Sequence, residues 1–565
     1  MKYLFAGIRL HKVLQVNIIR NRKSFAEHKM IVDKVVIGEQ AALVPGHFSY
    51  GQYLVDKLRE NSKNGTALIN GETSETATFQ RLLQDVVNIS VGLQSIGLKR
   101  GDVVGMCSES RIEYITTAIA VICCGATVTA VNLQYTKDEM LHVFNISKPS
   151  FIIGSSSALK KNGAIFRGLS FVKKIFSFDG ASEGSVPLSS VVGKDVNVDT
   201  FLAADVKGWT DVAYILYSSG TTGLPKGVML TNLNSLYGAI LSYNRSKPGT
   251  RIQTVVPWYH GFGLMSTINS LAAGCIMVYF SEFNLEKYLG AIQKYKVQNL
   301  LTVPPIVVLL AKSPIVERFD LSSVSETWCA AAPLSMDTIR EAMKRLPNCK
   351  GIFQAYGMTE TTLSATKDQV DSGNQKVGSG GCPLPGIKVK VVDVETRQKL
   401  GPKEKGEICI KGPIVMKGYA GNEAATRAIF DDEGFLKTGD IGFYDEEGYF
   451  FIVDRLKELI KYKGFQVPPA EVESVLLQHP GVAECGVVGA PDEAAGELPT
   501  AFVVAKPGAK ITQQELLDFS ASRLSPAKRL RGGIIFVNEI PKNGSGKILR
   551  RVLRQKLQEM HKSKL

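Results

Sequence analysis

The sequence predicts an α/β protein with a large N-terminal domain, made of two α/β sheet subdomains and a β-rich subdomain, and a small α/β C-terminal domain. Helical and strand-like apolar patterns alternate over residues 66–200 and again after residue 227, whereas strand patterns dominate residues 387–419. The last stretch of about 110 residues has helices and strands of its own and matches the usual size of a domain. At 565 residues the chain is too long for a single core.

The first 200 residues contain the clearest helical and strand-like segments. Residues 79–96 have the apolar spacing of a helix, and residues 103–106 have the pattern of a strand. The longest apolar stretch, residues 116–131, includes Gly125 and several threonines and is shorter than the about 20 residues that a membrane span needs. We expect a buried helix that passes into a strand, and no transmembrane segment.

A loop rich in hydroxyl groups and glycines follows a strand-like run at residues 212–216. It consists of Tyr217, Ser218, Ser219, Gly220, Thr221, Thr222, Gly223, Leu224, Pro225, Lys226 and Gly227. A loop that leaves a strand end can present unpaired backbone N–H groups to an anion. A Walker-type loop needs glycine before its lysine and serine or threonine after it, whereas Pro225 and Gly227 flank this lysine. The pattern predicts a phosphate-binding loop of another kind; an ordinary Gly/Ser loop is the alternative.

Two later motifs combine carboxylates with hydroxyl groups. In residues 356–360, the Thr359 hydroxyl suits a phosphate and the Glu360 carboxylate suits Mg²⁺, although Thr359 could instead cap a helix. In residues 437–440, the Asp440 carboxylate has enough lone pairs to accept hydrogen bonds from both hydroxyls of a ribose. Without that role, this second motif is a simple turn.

The C-terminal region has a lysine on a flexible glycine loop, Lys547 within residues 541–547. Before it, Thr512 and Glu515 form a capping box that opens a helix. The final helix is predicted from the apolar spacing of Ile548, Leu549, Val552, Leu553, Leu557 and Met560. We place the start of the domain near Asp454.

These motifs stand in the order found in the adenylate-forming (AMP-binding) enzyme superfamily, which the chain resembles from about residue 65 to 555. That superfamily includes acyl-CoA synthetases, 4-coumarate-CoA ligases and beetle luciferases. The resemblance implies a two-step ligase that uses ATP and Mg²⁺ to form an acyl-adenylate and then transfers the acyl group to coenzyme A. It implies catalytic roles for His260, Thr359, Glu360, Lys461 and Lys547, with Glu360 as the Mg²⁺ ligand. It implies cofactor binding by Ser218, Ser219, Gly220, Thr221, Thr222, Gly223, Lys226, Tyr356, Gly357, Asp440, Arg455 and Gly464.

The resemblance also implies a mobile C-terminal domain. Residues 30–453 would form the adenylation domain and residues 454–562 the mobile domain. A rotation about Asp454 would withdraw Lys547 after adenylation and bring Lys461 and Gly464 forward for thioester formation. For Lys457 and Lys463 we expect an exposed hairpin without a role in the site.

The acid substrate is expected near residues 258–263, where His260 can meet its carboxylate. We expect a medium- or long-chain fatty acid, with an aromatic acid of the 4-coumarate type as the alternative. Light emission is disfavoured, because Leu363 stands where luciferases usually have serine and residues 238–240 lack an arginine expected on the pocket helix. The turn at residues 329–331 departs from the family, which usually has glycine there.

Composition restricts the other function classes. The net charge of +14 suits polyanionic ligands such as ATP and CoA, a membrane surface contacted peripherally, or nucleic acid. Basic and acidic residues alternate along the chain and no nucleic-acid-binding motif occurs, so we expect no nucleic-acid partner. A non-catalytic nucleotide- or lipid-binding protein is a further alternative, but Lys547, Glu360 and Asp440 are all present. Nine cysteines without C-x-x-C spacing favour a reducing compartment.

Both ends of the chain contain patterns typical of targeting signals. Residues 1–29 hold seven Lys or Arg residues against Glu27 alone, as a mitochondrial leader would, but they are poor in serine. We expect this segment to be a poorly ordered basic leader, and Met30 is an alternative start. Ser563, Lys564 and Leu565 form the tripeptide that the peroxisomal import receptor binds. We favour the peroxisome, with the mitochondrion as the alternative.

Overall fold

The computed structural model describes residues 30–41, 44–181, 184–218, 225–243, 247–332, 334, 336–368, 370, 376, 378–463, 465–492, 494–542 and 546–562. The basic leader, most of the hydroxyl-rich loop (219–224), Gly464 and the C-terminal tripeptide therefore lie outside the described residues. The targeting assignments stay predictions.

The described strands are, in chain order, β1 (Met30–Val32), β2 (Val35–Ile37), β3 (Thr66–Asn70), β4 (Thr76–Thr78), β5 (Val103–Cys107), β6 (Thr127–Ala130), β7 (Phe151–Gly154), β8 (Lys174–Ser177), β9 (Val186–Pro187), β10 (Val212–Ser218), β11 (Lys226–Thr231), β12 (Arg251–Thr254), β13 (Ile276–Tyr279), β14 (Asn299–Thr302), β15 (Glu326–Cys329), β16 (Ile352–Met358), β17 (Leu363–Lys367), β18 (Cys382–Pro383), β19 (Lys388–Val392), β20 (Gly406–Lys411), β21 (Gly418–Tyr419), β22 (Leu436–Tyr444), β23 (Phe450–Arg455), β24 (Ile460–Tyr462), β25 (Phe465–Val467), β26 (Val482–Asp492), β27 (Gly496–Ala505) and β28 (Ile534–Phe536).

The described α-helices are α1 (Tyr50–Asn61), α2 (Phe79–Ser95), α3 (Ile112–Cys123), α4 (Lys137–Ser147), α5 (Ser156–Arg167), α6 (Asn232–Tyr243), α7 (Gly261–Ala272), α8 (Leu285–Tyr295), α9 (Pro304–Lys312), α10 (Met336–Lys344), α11 (Glu423–Ile429), α12 (Pro469–Leu476), α13 (Gln513–Ala521) and α14 (Arg550–Lys562). Short 3-10 helices lie at Leu188–Ser190, Pro314–Arg318, Thr359–Thr361 and Pro526–Lys528.

Two large sheets form the centre of the N-terminal region. Among the described strands, one sheet has the order β21-β11-β10-β6-β5-β7-β8-β9 and the other β18-β17-β16-β15-β14-β12-β13-β3-β4. Both are parallel in the middle and antiparallel at an edge. Apolar residues of α1, α2, α3 and α7 share one core with both sheets, which explains why the central strands are apolar on both faces. The two predicted α/β subdomains are confirmed.

The predicted β-rich subdomain is an antiparallel sheet with the order β1-β2-β19-β20-β22-β23. The predicted strands at 388–392 and 406–410 are both present, as β19 and β20. The sheet is larger than the local pattern indicated, since it also takes in residues 30–37 and 436–455. Periodicity alone cannot predict that strands so far apart in the chain belong to one sheet.

The C-terminal region has its own sheet, with β25-β24-β27-β26 antiparallel and β28 parallel to β27. The capping box of Thr512 and Glu515 is confirmed at the start of α13. The last helix begins at Arg550, later than its apolar pattern indicated, because Ile548 pairs with Lys542 in a β-bridge and Leu549 N–H donates to Pro541 O. The domain boundary at Asp454 stays a prediction.

Several predictions about individual segments are also confirmed. The helix expected over residues 79–96 is α2, the strand over 103–106 is β5, and the apolar stretch 116–131 is the end of α3 followed by β6. All nine cysteines belong to the described part of the chain and are buried with free thiols. Among the described helices, none is long and apolar enough to cross a membrane.

The turn after β15 contains a strained alanine. Ala331 has a φ of 81°, in the left-handed region where the Cβ of an L-residue meets the following carbonyl group. We expect Ala331→Gly to stabilise the protein by about 1 kcal/mol, because glycine adopts this conformation without strain. The measurement is the midpoint of urea unfolding.

Ala330→Gly is the matched control, because Ala330 precedes Ala331 and is not among the residues with positive φ. This control should destabilise by about 0.5–1 kcal/mol through added freedom of the unfolded chain. If both substitutions lower the midpoint, Ala331 is not strained.

Candidate active site

Several predicted site residues lie at the ends of β10, β16 and β23, and Asp440 lies within β22 opposite Arg455. Ser218 is the last residue of β10 and pairs in register with Lys226, the first residue of β11. The hydroxyl-rich loop is therefore the connection of an antiparallel hairpin, as its position after a strand predicted. Of this loop, the structure places Ser218 and Lys226, whereas Ser219, Gly220, Thr221, Thr222 and Gly223 lie outside the described residues.

A buried carboxylate lies beside this hairpin. Glu360 is 4% exposed, and its Oε1 accepts hydrogen bonds from Ser218 Oγ at 2.8 Å and from Tyr419 Oη at 3.0 Å. Burial and the neighbouring Glu360 raise the pKa of Tyr419, so its hydroxyl remains a donor. The Lys226 ammonium lies 4.8 Å from the centre of the Tyr419 ring, in a cation–π contact.

The backbone turns sharply within the Tyr356 motif, residues 356–360, and this turn brings the motif to the same part of the site as the hairpin. Gly357 allows β16 to approach β17, since a Cβ at this position would lie 1.8 Å from Leu363 O. Thr359 begins the 3-10 turn that contains Glu360. The motif is thus the end of a strand rather than a capped α-helix.

Asp440 is the second buried carboxylate. Its Oδ2 accepts a hydrogen bond from Tyr356 Oη at 2.8 Å, and its Oδ1 lies 3.1 Å from Arg455 Nε. The preceding Gly439 has a φ of 70°, and its N–H donates to Glu407 Oε1 at 3.0 Å. Each Asp440 oxygen still has lone-pair capacity for a ligand hydroxyl.

The lysine of the C-terminal loop lies close enough to Asp440 and Arg455 to interact with both electrostatically. A Cβ added to Gly546, whose φ is 77°, would lie 2.7 Å from Pro305 at the start of α9, so the glycine permits close packing of the loop on the N-terminal region. Burial, followed by the nearby Arg455, lowers the pKa of Lys547 to about 8, although Glu458 and Asp440 act in the opposite direction. Lys547 therefore lies within the field of the Asp440–Arg455 pair.

His260 lies at the N-terminus of α7. Its Nε2 is buried and has no hydrogen-bond partner among the described residues. Burial lowers the pKa of His260 to about 4, so the ring is neutral near pH 7. A neutral imidazole with an unused ring nitrogen is suited to meet a substrate group.

The second lysine of the C-terminal region lies apart from these groups. Lys461 is exposed on the hairpin of β24 and β25, and its N–H donates to Glu497 Oε2 at 2.8 Å. Gly464, between the two strands, is outside the described residues. Lys457 and Lys463 are both exposed, as expected. Partial burial and the nearby Lys226 lower the pKa of Lys457.

The donor set can be compared with what Mg²⁺ requires. Within the described part of the chain, no group of three or more His, Cys, Asp or Glu side chains is arranged to hold a metal. Mg²⁺ is usually bound by one or two carboxylates together with phosphate oxygens and water. Neither hydroxyl that donates to Glu360 contacts its Oε2, so this carboxylate fits such a shared site.

Comparisons with known proteins agree with this geometry. The profile described as AMP-binding enzyme matches residues 56–420, and the profile described as AMP-binding enzyme C-terminal domain matches residues 471–547. The chain belongs to the AMP-binding enzyme family, which is the superfamily of adenylate-forming enzymes. Members of this family that make CoA esters are ATP-dependent ligases.

Family relatives include proteins of two activities. The chain is 39% identical over 544 residues to luciferin 4-monooxygenase of Nipponoluciola cruciata, covering 93% of this chain and 98% of that one. It is 38% identical over 525 residues to probable 4-coumarate–CoA ligase 2 of Dictyostelium discoideum, covering 89% and 94%. The ATP-bound structure of MatB from Rhodopseudomonas palustris has a TM-score of 0.81 at 29% identity, covering 91% and 100%.

The structure adds two residues that motif analysis of this AMP-binding enzyme missed. Tyr419, on the two-residue strand β21, reaches Glu360 from a segment assigned only to the β-rich region. Glu407 holds the Gly439 turn. Neither stands in a recognisable pattern, so no signal in the single sequence identifies them.

Asp440→Asn should weaken AMP binding about 10- to 100-fold, because a hydrogen bond to a charged group contributes about 1.5–3 kcal/mol. Isothermal titration with AMP measures this. Asp445→Asn is the control, since Asp445 is similarly buried near the end of β22 but pairs with Lys376. Unchanged affinity in Asp440→Asn, or an equal loss in both variants, would remove Asp440 from the nucleotide site.

Proposed function

We propose that the protein is an acid–CoA ligase that converts a carboxylic acid, ATP and coenzyme A to an acyl-CoA, AMP and pyrophosphate. The observation that supports this most directly is the position of Lys547, which comes from the C-terminal region yet lies with Asp440 and Arg455 of the β-rich sheet. An ammonium from the C-terminal region beside a second cation, Arg455, is suited to stabilise an anionic ligand.

The first step is attack of the acid carboxylate on the α-phosphorus of ATP, which forms a new O–P bond and releases pyrophosphate. Asp440 accepts hydrogen bonds from the ribose, and Lys226 and the hairpin loop hold the phosphates. Lys547 stabilises the negative charge that builds on the α-phosphate oxygens. Mg²⁺, when bound through Glu360, neutralises phosphate charge.

The second step is attack of the CoA thiol on the carbonyl carbon of the acyl-adenylate, with AMP as the leaving group. Lys461 is exposed on the hairpin of β24 and β25, whereas Lys547 interacts with Asp440 and Arg455, so we assign the two lysines to different steps. Rotation of the C-terminal domain about Asp454 would exchange them. We assign Lys461 and Gly464 to the thioester step.

For the acid we propose an apolar chain, with a medium- or long-chain fatty acid first. Tyr259 packs at a tilt on His260, with the two ring centroids 4.6 Å apart. Half-buried apolar side chains from several elements pack on the same core, namely those of Tyr259, Phe262, Trp328, Met358 and Leu363. Such a wall suits an aliphatic tail, while His260 meets the carboxylate. An aromatic acid is the second candidate, supported by the similarity to 4-coumarate–CoA ligases.

Light emission is the less favoured alternative, despite the similarity to luciferin 4-monooxygenases. Where the resemblance led us to expect an arginine, the chain has Gly238 in α6. A Cβ at Gly238 would lie 3.1 Å from Thr362 Cγ2, so this position has little room for a long polar side chain. Leu363 adds apolar surface beside it.

The test is pyrophosphate release from the purified protein with ATP and Mg²⁺ across a panel of fatty and aromatic acids, with and without coenzyme A. We expect release that depends on the acid, and a thioester product only when coenzyme A is present. Bound ATP without release for any acid would favour a nucleotide-binding protein without ligase activity. Light with luciferin and oxygen would favour the alternative.

Lys547→Ala should slow adenylation about 100- to 1,000-fold, the usual cost of one donor to developing charge. Thioester formation from supplied acyl-adenylate should stay largely intact. Lys461→Ala is the matched variant and should slow the second step about tenfold, as expected for loss of one charge-assisted hydrogen bond. Equal loss of both half-reactions in either variant would contradict the assigned roles.

Adenylation should also decline as pH rises through about 8, because the Lys547 ammonium loses its proton above its lowered pKa. Since His260 is already neutral above about 4, it should add no acid limb between pH 5 and 7. A pH profile of pyrophosphate exchange measures both limbs. An alkaline limb that persists unchanged in the residual activity of Lys547→Ala would belong to another group.

A further inference from the structure

A buried ionic cluster lies at the junction of the hinge segment and the C-terminal domain. Arg550, at the start of α14, is 8% exposed. Its Nη2 lies 2.8 Å from Oε1 and 2.7 Å from Oε2 of Glu473 on α12, and its Nε donates to Val487 O at 3.2 Å. Its Nη1 pairs with Glu458. All three guanidinium nitrogens are therefore engaged.

The partners come from segments that meet at the active site. Glu458 lies one turn after Arg455, and its N–H donates to Arg455 O at 2.9 Å. Arg550 lies three residues after Lys547 and two residues after Ile548, whose bridge with Lys542 closes the loop that contains Lys547. The Glu458–Arg550 contact thus connects the backbone that positions Arg455 to the backbone that positions Lys547.

Glu458 satisfies the one guanidinium nitrogen of Arg550 that its other two partners do not contact. Both Glu473 oxygens lie beside Nη2 and Val487 O accepts from Nε, so Nη1 is the nitrogen that pairs with Glu458. The Glu458 side chain comes from the hinge segment and is 19% exposed. It interacts electrostatically with Lys547 as well as with Arg550. A carboxylate between two cations is suited to fix the distance between them.

We propose that Glu458 and Arg550 form a positioning pair that holds the Lys547 ammonium against the Asp440–Arg455 end of the site during adenylation. The pair does not touch the substrate; it acts through Lys547 and the loop that precedes α14. This inference rests on the proposed function, since it concerns the adenylation step.

The pair also acts on the charge state of Lys547. The charged groups that act on this ammonium are Arg455, Glu458, Asp440 and Arg550. Of these, Glu458 and Asp440 favour the protonated form, whereas both arginines oppose it. Loss of the Glu458 charge should therefore lower the pKa of Lys547 and move the alkaline limb of adenylation to lower pH.

The experiment compares Glu458→Gln, Glu458→Asp and the control Glu471→Gln in the full-length protein. Glu471 lies on α12 and pairs with Lys528, so the control removes one paired carboxylate from the same domain. Three quantities are measured for each variant: the rate of ATP–pyrophosphate exchange with a fatty acid, its pH profile, and the rate of thioester formation from supplied acyl-adenylate. Thermal unfolding shows whether each variant is folded.

We expect Glu458→Gln to reduce the rate of ATP–pyrophosphate exchange about tenfold or more and to shift the alkaline limb of its pH profile to lower pH. The rate of thioester formation should change less than about twofold, because the charge-assisted contact is lost only in the adenylation arrangement. Glu458→Asp should keep the limb near its original pH while lowering the rate, because it retains the charge on a shorter side chain. The control should leave all three quantities unchanged.

Two results would overturn the inference. The first is an unshifted alkaline limb in Glu458→Gln together with an unchanged exchange rate. The second is an equal loss of both half-reactions in Glu458→Gln, which is the result expected if the residue has only a structural role. If Glu458→Gln does not fold, an equal loss of both half-reactions in Glu458→Asp overturns the inference. Absence of exchange in the unmodified protein would instead overturn the proposed function and this inference with it.

Discussion

The ion pair between Asp440 and Arg455 is the interaction on which the site depends. The two residues face each other in the register of β22 and β23, and Arg455 directly follows Asp454, where we place the start of the C-terminal domain. Tyr356 joins the pair from the end of the second large sheet. One carboxylate thereby connects the β-rich sheet, an α/β sheet and the hinge segment, which fixes the geometry around any nucleotide.

This arrangement places two cations close together, and a negatively charged ligand can offset their repulsion. Arg455 and Lys547 are two cations in a partly buried space, and burial together with their mutual repulsion lowers the pKa of the lysine. Asp440 and Glu458 offset part of that repulsion. The phosphates of ATP would offset more, so the protonated lysine and the nucleotide stabilise each other. In the proposed mechanism, the release of pyrophosphate would remove part of the attraction between Lys547 and the site, which would favour withdrawal of the lysine after adenylation.

Most of the fold could be predicted from local patterns, because helix α2, strand β5 and the capping box at Thr512 depend on residues that are close in sequence. The extent of the β-rich sheet could not be predicted, since β2, which also pairs with β1, pairs with β19 across more than half of the chain. The candidate site shows the same contrast between residues in local motifs and residues from distant segments. Glu360 and Asp440 stand in motifs, whereas Tyr419, which contacts Glu360, and Glu407, which contacts Gly439, come from other segments and carry no local signal. The start of α14 was misplaced because Ile548 and Leu549 have helical spacing but pair with the preceding loop.

The proposed function depends on attack of the acid carboxylate on the α-phosphorus of ATP. The most direct measurement uses a fatty acid whose carboxylate oxygens are labelled with ¹⁸O, with ATP, Mg²⁺ and coenzyme A, followed by mass spectrometry of the products. Because the attacking oxygen stays on phosphorus when the thiol displaces AMP, the account predicts one labelled oxygen in AMP and none in pyrophosphate. Thioester formation with unlabelled AMP, or label in pyrophosphate or inorganic phosphate, would contradict it.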